Sequence, residues 1–202
     1  MNKSPQNVDY LGGRHEHQDA RVRVTKEMLH RALLRMLKDQ PIGNISVKDL
    51  CAEAGINRGT FYLHYGQPQD VLKEIENNFI AENLETIDRF WDNGRNVSYL
   101  ATIYSCILQN RDLSRILIGD NGDPQFLNSM RNLVRDGIVD EWQKEFPAYD
   151  RERLEFIFDY VFLGSMRLML NWIDDDQDLS PSQFARRLER LGHYSLIAAG
   201  EF

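Results

Sequence analysis

Apolar residues recur at spacings of three and four along nearly every ordered stretch of this 202-residue chain, and no run alternates convincingly with period two. That restricts the chain to an all-α architecture, because a strand sends successive side chains to opposite faces whereas a helix gathers i, i+3, i+4 and i+7 into one stripe. The first such stretch begins near Arg21. Its Val24, Met28, Leu29, Ala32, Leu33, Met36 and Leu37 share a face that wants a core, and Pro41 ends it. Residues 1–19 mix Pro5, Gly12 and Gly13 with polar side chains and show no periodicity, which predicts a flexible N-terminal arm.

Between Ile45 and Tyr65 the pattern breaks into two brief helices. Ser46 is placed to cap the first, with Asp49 three residues on in the position that Glu or Gln takes in a capping box. Gly55 can supply the left-handed conformation that ends this helix, and Ile56 then plugs the angle to the next. Leu50, Ala54, Ile56, Phe61 and Tyr65 are spaced to face the first long helix, and Cys51 sits where close approach needs a small side chain. Arg58, Gly59, Tyr62 and Leu63 fall on the opposite face. That division suits a helix-turn-helix, in which one short helix braces a second whose N-terminal residues reach base edges in the major groove.

A net charge of −7 speaks against a nucleic-acid binder until it is divided along the chain. Residues 1–73 carry 11 Lys and Arg against 8 Asp and Glu, leaving 13 against 23 for the remainder. A mildly basic front on an acidic body fits a DNA-reading module carried by a domain that avoids phosphate. Hydrophobic residues at 42% and charged residues at 27% exclude global disorder. No stretch approaches 18 to 20 uncharged apolar residues, so no membrane partner and a cytoplasmic location are expected. Cys51 and Cys106 lie far apart without partner spacing, and His15 and His17 lack carboxylate or cysteine companions, so neither pair predicts a disulfide or a metal. The absence of G-x-S-x-G, H-E-x-x-H and phosphate-cradling glycine loops gives no support to an enzyme or a cofactor.

A long helix is expected from Pro68 to about Asn93-Gly94, carrying Val71, Leu72, Ile75, Phe79, Ile80, Leu84 and Ile87 inward. Further helices are expected at about 97–118, 124–146, 151–174 and 181–198. The turn cluster from Gly119 to Pro124, the stop at Phe146-Pro147 and the aspartate-rich link from Asp174 to Asp178 separate them. That link lacks the glycine and distal glutamate of a calcium loop and reads as a solvated linker.

The run Gly55-Ile56-Asn57-Arg58-Gly59-Thr60-Phe61-Tyr62-Leu63-His64-Tyr65 resembles the signature of the TetR family of bacterial regulators, and the likeness extends over about residues 22–75. The resemblance implies that Arg58 and Gly59 face bases, that Thr60, Tyr62 and His64 face phosphates, and that Lys48 adds a contact from the bracing helix. Their chemistry agrees. Arg can grip guanine bidentately, Gly admits close backbone approach, and hydroxyl and imidazole groups can donate to phosphate oxygens. Leu63 shares the exposed face. The sequence departs from the family where Gly66-Gln67-Pro68 replaces a lysine-containing turn, leaving Arg21, Arg23 and the arm's Arg14 as substitute backbone contacts.

The resemblance further implies a homodimeric repressor that binds a palindromic double-stranded DNA operator and is released by an unknown small-molecule effector. It divides the chain into the arm (1–19), a helix-turn-helix domain (20–67) and a dimerisation and effector-sensing domain (68–202). The helices at 151–174 and 181–198 resemble the two that form an intersubunit four-helix bundle. Phe156, Tyr160, Leu163, Arg167, Leu170 and Ile173 form a stripe too long for one small core, and Gly164-Ser165 permits close helix approach. Candidate effector contacts are Phe79, Tyr99, Ile103, Leu117, Met130, Trp142, Phe158, Phe162, Met166, Met169 and Trp172, although such stripes more often serve core packing. A helical adaptor or co-regulator that answers to a protein partner, with weak or lost DNA binding, remains the alternative reading.

Overall fold

The first helix, α1 (Gly12–Met36), starts well before Arg21 and takes in the second part of the expected arm. Residues 14–23 contain no proline or glycine, so a helix anchored by its packed C-terminal half propagates back as far as the two glycines. The structure, a computed structural model, describes the backbone of residues 12–92, 101, 104–105, 107–119, 121–174 and 179–201, and side chains from residue 19 onward except 83–92 and 201. All elements among the described residues are helical. The chain divides after Leu72 into two compact units, and the division falls inside α4 (Pro68–Asp92).

In the first unit α1 packs on α2 (Val47–Ala54), and α2 on α3 (Arg58–Tyr62). Leu29, Ala32, Leu33, Leu37, Leu50 and Phe61 are fully buried or nearly so. Val24 and Met28, expected in the same core, are instead 51% and 41% exposed. The reason is length. The eight residues of α2 span about 12 Å, roughly two turns, and cannot cover the N-terminal half of a 25-residue helix.

In the second unit the single helix expected over 97–118 is interrupted. Ala101, Tyr104, Ser105 and residues 107–109 are helical, Asn110 leaves helical geometry at φ −105° and ψ 35°, and α5 (Arg111–Ile118) follows. Next come α6 (Pro124–Glu145), α7 (Arg151–Asp174) and α8 (Pro181–Ala198). Asp123 and Ser180 cap α6 and α8, each ahead of a proline whose missing N–H costs nothing in the first turn. Ser180 and Gln183 exchange bonds in a full capping box, the Gln183 amide donating to Ser180 Oγ at 3.3 Å and the Ser180 amide to Gln183 Oε1 at 2.9 Å.

Two apolar clusters hold this unit together. One gathers Tyr104, Met169, Trp172 and Phe184, with the Trp172 and Phe184 rings stacked at 4.6 Å. The other gathers Val139, Trp142, Leu154, Phe158 and Leu196. Among the described residues α7 is long and apolar enough, by length and composition alone, to cross a membrane. Its apolarity has a local use. Leu154, Ile157, Phe158, Met169, Trp172 and Ile173 are buried in the clusters, and Asp159 pairs with Arg131 of α6 at 3.3 Å.

Candidate nucleic-acid interface

The interface is assembled from two caps and a glycine. Ser46 Oγ accepts from the Asp49 amide at 3.2 Å and donates to Asp49 Oδ2 at 2.6 Å, fixing the start of α2. Gly55 ends α2 at φ +68°, a conformation that would strain any residue with a Cβ, and the Ile56 amide closes the turn on Cys51 O at 2.9 Å. Asn57 then caps α3, its Oδ1 accepting from the Thr60 amide at 2.8 Å.

Alternate faces of α3 do different work. Phe61 is fully buried, and Tyr65, just beyond the helix, is buried with its hydroxyl 3.3 Å from His30 Nε2. The Lys26 ammonium lies 5.5 Å from the Tyr65 ring centroid, so two residues of α1 meet this one tyrosine. On the other side Arg58 and Gly59 are exposed, as are Tyr62 at 59% and Leu63 at 79%. Lys48 is exposed on α2, and Thr60 and His64 are half-buried. Cys51 lies beneath this surface. Burial pushes its thiol up, offset in part by the Arg58 guanidinium, so it remains a protonated, unreactive packing residue.

The Thr60 hydroxyl donates to Asn57 Oδ1 at 3.2 Å, which ties it to the helix cap. The lysine-free turn also has its own solution. Asp70 Oδ2 accepts from the Gly66 and Gln67 amides at 2.8 and 3.1 Å, and Asp70 Oδ1 from Gln67 Nε2 at 3.3 Å. Neither Asn57 nor Asp70 was singled out from sequence, although Asn57 stands directly before Arg58 and Asp70 lies in the first turn begun by Pro68.

Among the described residues the effector candidates fall in more than one apolar cluster. Trp142, Phe158 and Phe162 belong to one apolar cluster, and Met166, Met169 and Trp172 to the other. Phe79 is buried against Phe126, with ring centroids 6.2 Å apart, Leu117 is buried and Met130 half-buried. Tyr99 and Ile103 lie outside the described residues, as does Cys106. The side chains of Arg14, His15, His17, Leu84 and Ile87 lie outside them too, as do residues 175–178 of the aspartate link.

The stripe on α7 is exposed where it was expected to be, with Phe156 at 77%, Tyr160 at 70%, Leu163 at 53%, and Gly164 and Arg167 open. Nothing lies within 4 Å of a Cβ built on Gly164. Ile173, expected to continue the stripe, is buried instead in the cluster of Trp172 and Phe184, because the stripe turns inward toward α8 at that end. Leu191, Tyr194 and Ile197 of α8 are also exposed, at i, i+3 spacings that could have been read from the sequence.

Residues 29–75 match the family profile described as bacterial regulatory proteins, tetR family, and residues 97–194 match one described as transcriptional regulator C-terminal region. No curated relative matches the chain in sequence. Among solved structures the fold is similar to a TetR transcriptional regulator from Streptococcus agalactiae, at 21% identity and a TM-score of 0.62 over 92% of this chain and 98% of that one. It is also similar to the fatty acid degradation regulator FadR from Bacillus halodurans, at 14% identity and a TM-score of 0.60 over 83% and 94% of the two chains. A dihydroxyacetone kinase operon activator, DhaS, aligns at 20% identity and a TM-score of 0.50 over 86% and 97%.

Proposed function

Because this chain belongs to the TetR family of bacterial transcriptional regulators, we propose that it is a homodimeric repressor that grips a palindromic operator and releases it when an effector binds. The observation that carries this reading is the split of α3 into a buried face, Phe61 with Tyr65 beyond it, and an exposed one, Arg58, Gly59, Tyr62 and Leu63. Such a helix can enter a major groove without exposing its core. Arg58 would read a base, Tyr62 and His64 would meet phosphate, and Lys48 would add a contact from α2. Thr60 serves the cap. The protein would act by binding rather than catalysis, in the cytoplasm where its operator lies.

The exposed apolar stripe on α7, with Leu191, Tyr194 and Ile197 on α8, supports pairing with a second copy. A dimer would set two copies of α3 about 34–36 Å apart, or a multiple of that, matching half-sites on successive turns of a palindrome. The effector would act through α4, which follows α3 after a short turn. Selection of bound duplexes from a random pool, followed by titration against salt, tests the reading. A palindromic consensus whose affinity falls steeply with salt is expected, and equal binding to selected and random duplexes would refute it. Deleting the gene should raise transcription from promoters bearing the operator. A fall would make the protein an activator, as one structural neighbour is.

A further inference from the structure

Most charged side chains of α7 are engaged within the chain. Arg151 binds Asp136, Asp140 and Glu155, Arg153 lies over the Tyr149 ring, and Asp159 and Asp174 pair with Arg131 and Arg115. Glu152 and Arg167 are different. Both are exposed, and neither has a partner among the described residues. They stand at the two ends of the exposed stripe, which runs from Glu152 through Phe156, Tyr160 and Leu163 to Arg167. At 3.6 residues per turn these five side chains share about 80° of the helix circumference and span about 22 Å of its length.

The order of residues along this stripe makes it complementary to itself in one direction only. Glu152 and Arg167 are centred on the same point of α7 as Phe156 and Leu163, between Asp159 and Tyr160. Laid against its own copy in the opposite direction, the stripe sets Glu152 beside the partner's Arg167 at both ends, and Phe156 beside the partner's Leu163 between them. Laid in the same direction, it sets carboxylate against carboxylate and guanidinium against guanidinium. The second helix sharpens the choice. α8 runs antiparallel to α7, with Gly192 beside Val161 and Phe184 clustered with Met169 and Trp172, so the exposed Arg186, Arg187 and Arg190 stand at the Arg167 end. These three also have no partner among the described residues, and like ends together would crowd the arginines of two copies against one another. We propose that a second copy of the chain docks on this face with its α7 antiparallel, about a two-fold axis beside Tyr160, and that Glu152 paired with the partner's Arg167 at each end sets the register. This rests on the pairing of two copies proposed above and states how they meet. The apolar residues between supply the burial, while charges at the rim act mainly by penalising the wrong alignment.

Sedimentation equilibrium of the full chain at low ionic strength, over a range of protein concentrations, tests the register. Glu152→Arg and Arg167→Glu should each raise the dimer dissociation constant at least about tenfold, because each turns two attractions per dimer into two repulsions. The neutral Glu152→Gln should raise it less. A chain carrying both Glu152→Arg and Arg167→Glu regains both pairs with their signs exchanged, and its dissociation constant should return close to that of wild type. Both positions are exposed and unpaired within the chain, so the fold of the subunit should be unaffected, which circular dichroism checks. With like ends together, wild type and every charge-reversed variant would carry repelling pairs, and the single variants would dimerise as wild type does. That result, or a double variant as weak as the singles, would overturn the register. A dimer indifferent to both charges keeps the pairing of copies and loses the register alone, whereas a wild type that stays monomeric at every concentration removes both.

Discussion

The side-chain oxygen of Asn57 accepts twice from Thr60, from its amide at 2.8 Å and from its hydroxyl at 3.2 Å. One residue thus both starts the five-residue α3 and ties a hydroxyl to the helix cap. So short a helix has little intrinsic stability, and its geometry depends on the cap and on the burial of Phe61. Asn57→Ala should therefore destabilise the protein by about 1 kcal/mol in urea unfolding, and Asn57→Ser should restore most of that. The alanine variant should also weaken operator binding across all sequences alike. Unaltered stability would show that α3 is held by packing alone.

Arg58 and Tyr62 are both exposed on α3, yet different losses are expected from them. Arg58→Ala should cost about 1 to 3 kcal/mol of operator binding and relax preference at one base position in each half-site. Tyr62→Phe should weaken all sequences uniformly, because a phosphate contact carries no direct base information. Fluorescence anisotropy on a panel of single-base operator variants distinguishes them. A change of base preference with Tyr62→Phe and none with Arg58→Ala would reverse the two roles.

Much of this was legible in the sequence because the signals were local. Ser180-Pro181 marks the start of α8, and Gly55 marks the end of α2 whatever packs around them. What was not legible depended on the partner. Periodicity placed Val24 and Met28 with Leu29 and Leu33, but only the length of α2 decides how far along α1 the core extends. The aromatic and methionine residues of α6 and α7 looked like one lining, yet Trp142 and Phe158 turn to one cluster and Met169 and Trp172 to another. The Thr60 hydroxyl looked free because its competitor, Asn57, acts through the cap geometry rather than through any periodic pattern.

Phe156 and Tyr160 stand one turn apart on α7, at 77% and 70% exposure. If they are covered by a second copy, Phe156→Glu would bury an unpaired carboxylate in the seam while leaving the monomer core untouched. Sedimentation velocity should then report monomer, with circular dichroism unchanged. The operator affinity of the monomer should fall well beyond that of a rim substitution, because two half-sites would no longer be bound together. A variant that sediments as wild type would place the interface elsewhere.

Glu76 also sets a pH dependence whose sign can be worked out. Burial is the largest influence on its carboxyl and pushes it up, Lys73 opposes, and Asp123 adds to the rise. The unfolded chain returns it to the ordinary carboxylate range. With the folded value the higher one, the native state holds this proton more tightly, so ionisation costs the native state more than the unfolded one. This contribution to stability is fully present below the unfolded value, declines as pH rises from there through the folded value, and then levels off. Glu76→Gln is neutral throughout and should escape that decline, so its stability relative to wild type should grow across the same window in urea unfolding at a series of pH values. Lys73→Met removes the one group that pulls the carboxyl down and should deepen the decline. Asp123→Asn removes the like charge that adds to the rise while keeping a side chain able to cap α6, and should make it shallower. A difference between Glu76→Gln and wild type that stays constant with pH, or shrinks as pH rises, would mean that the carboxylate is already well accommodated in its ionised form.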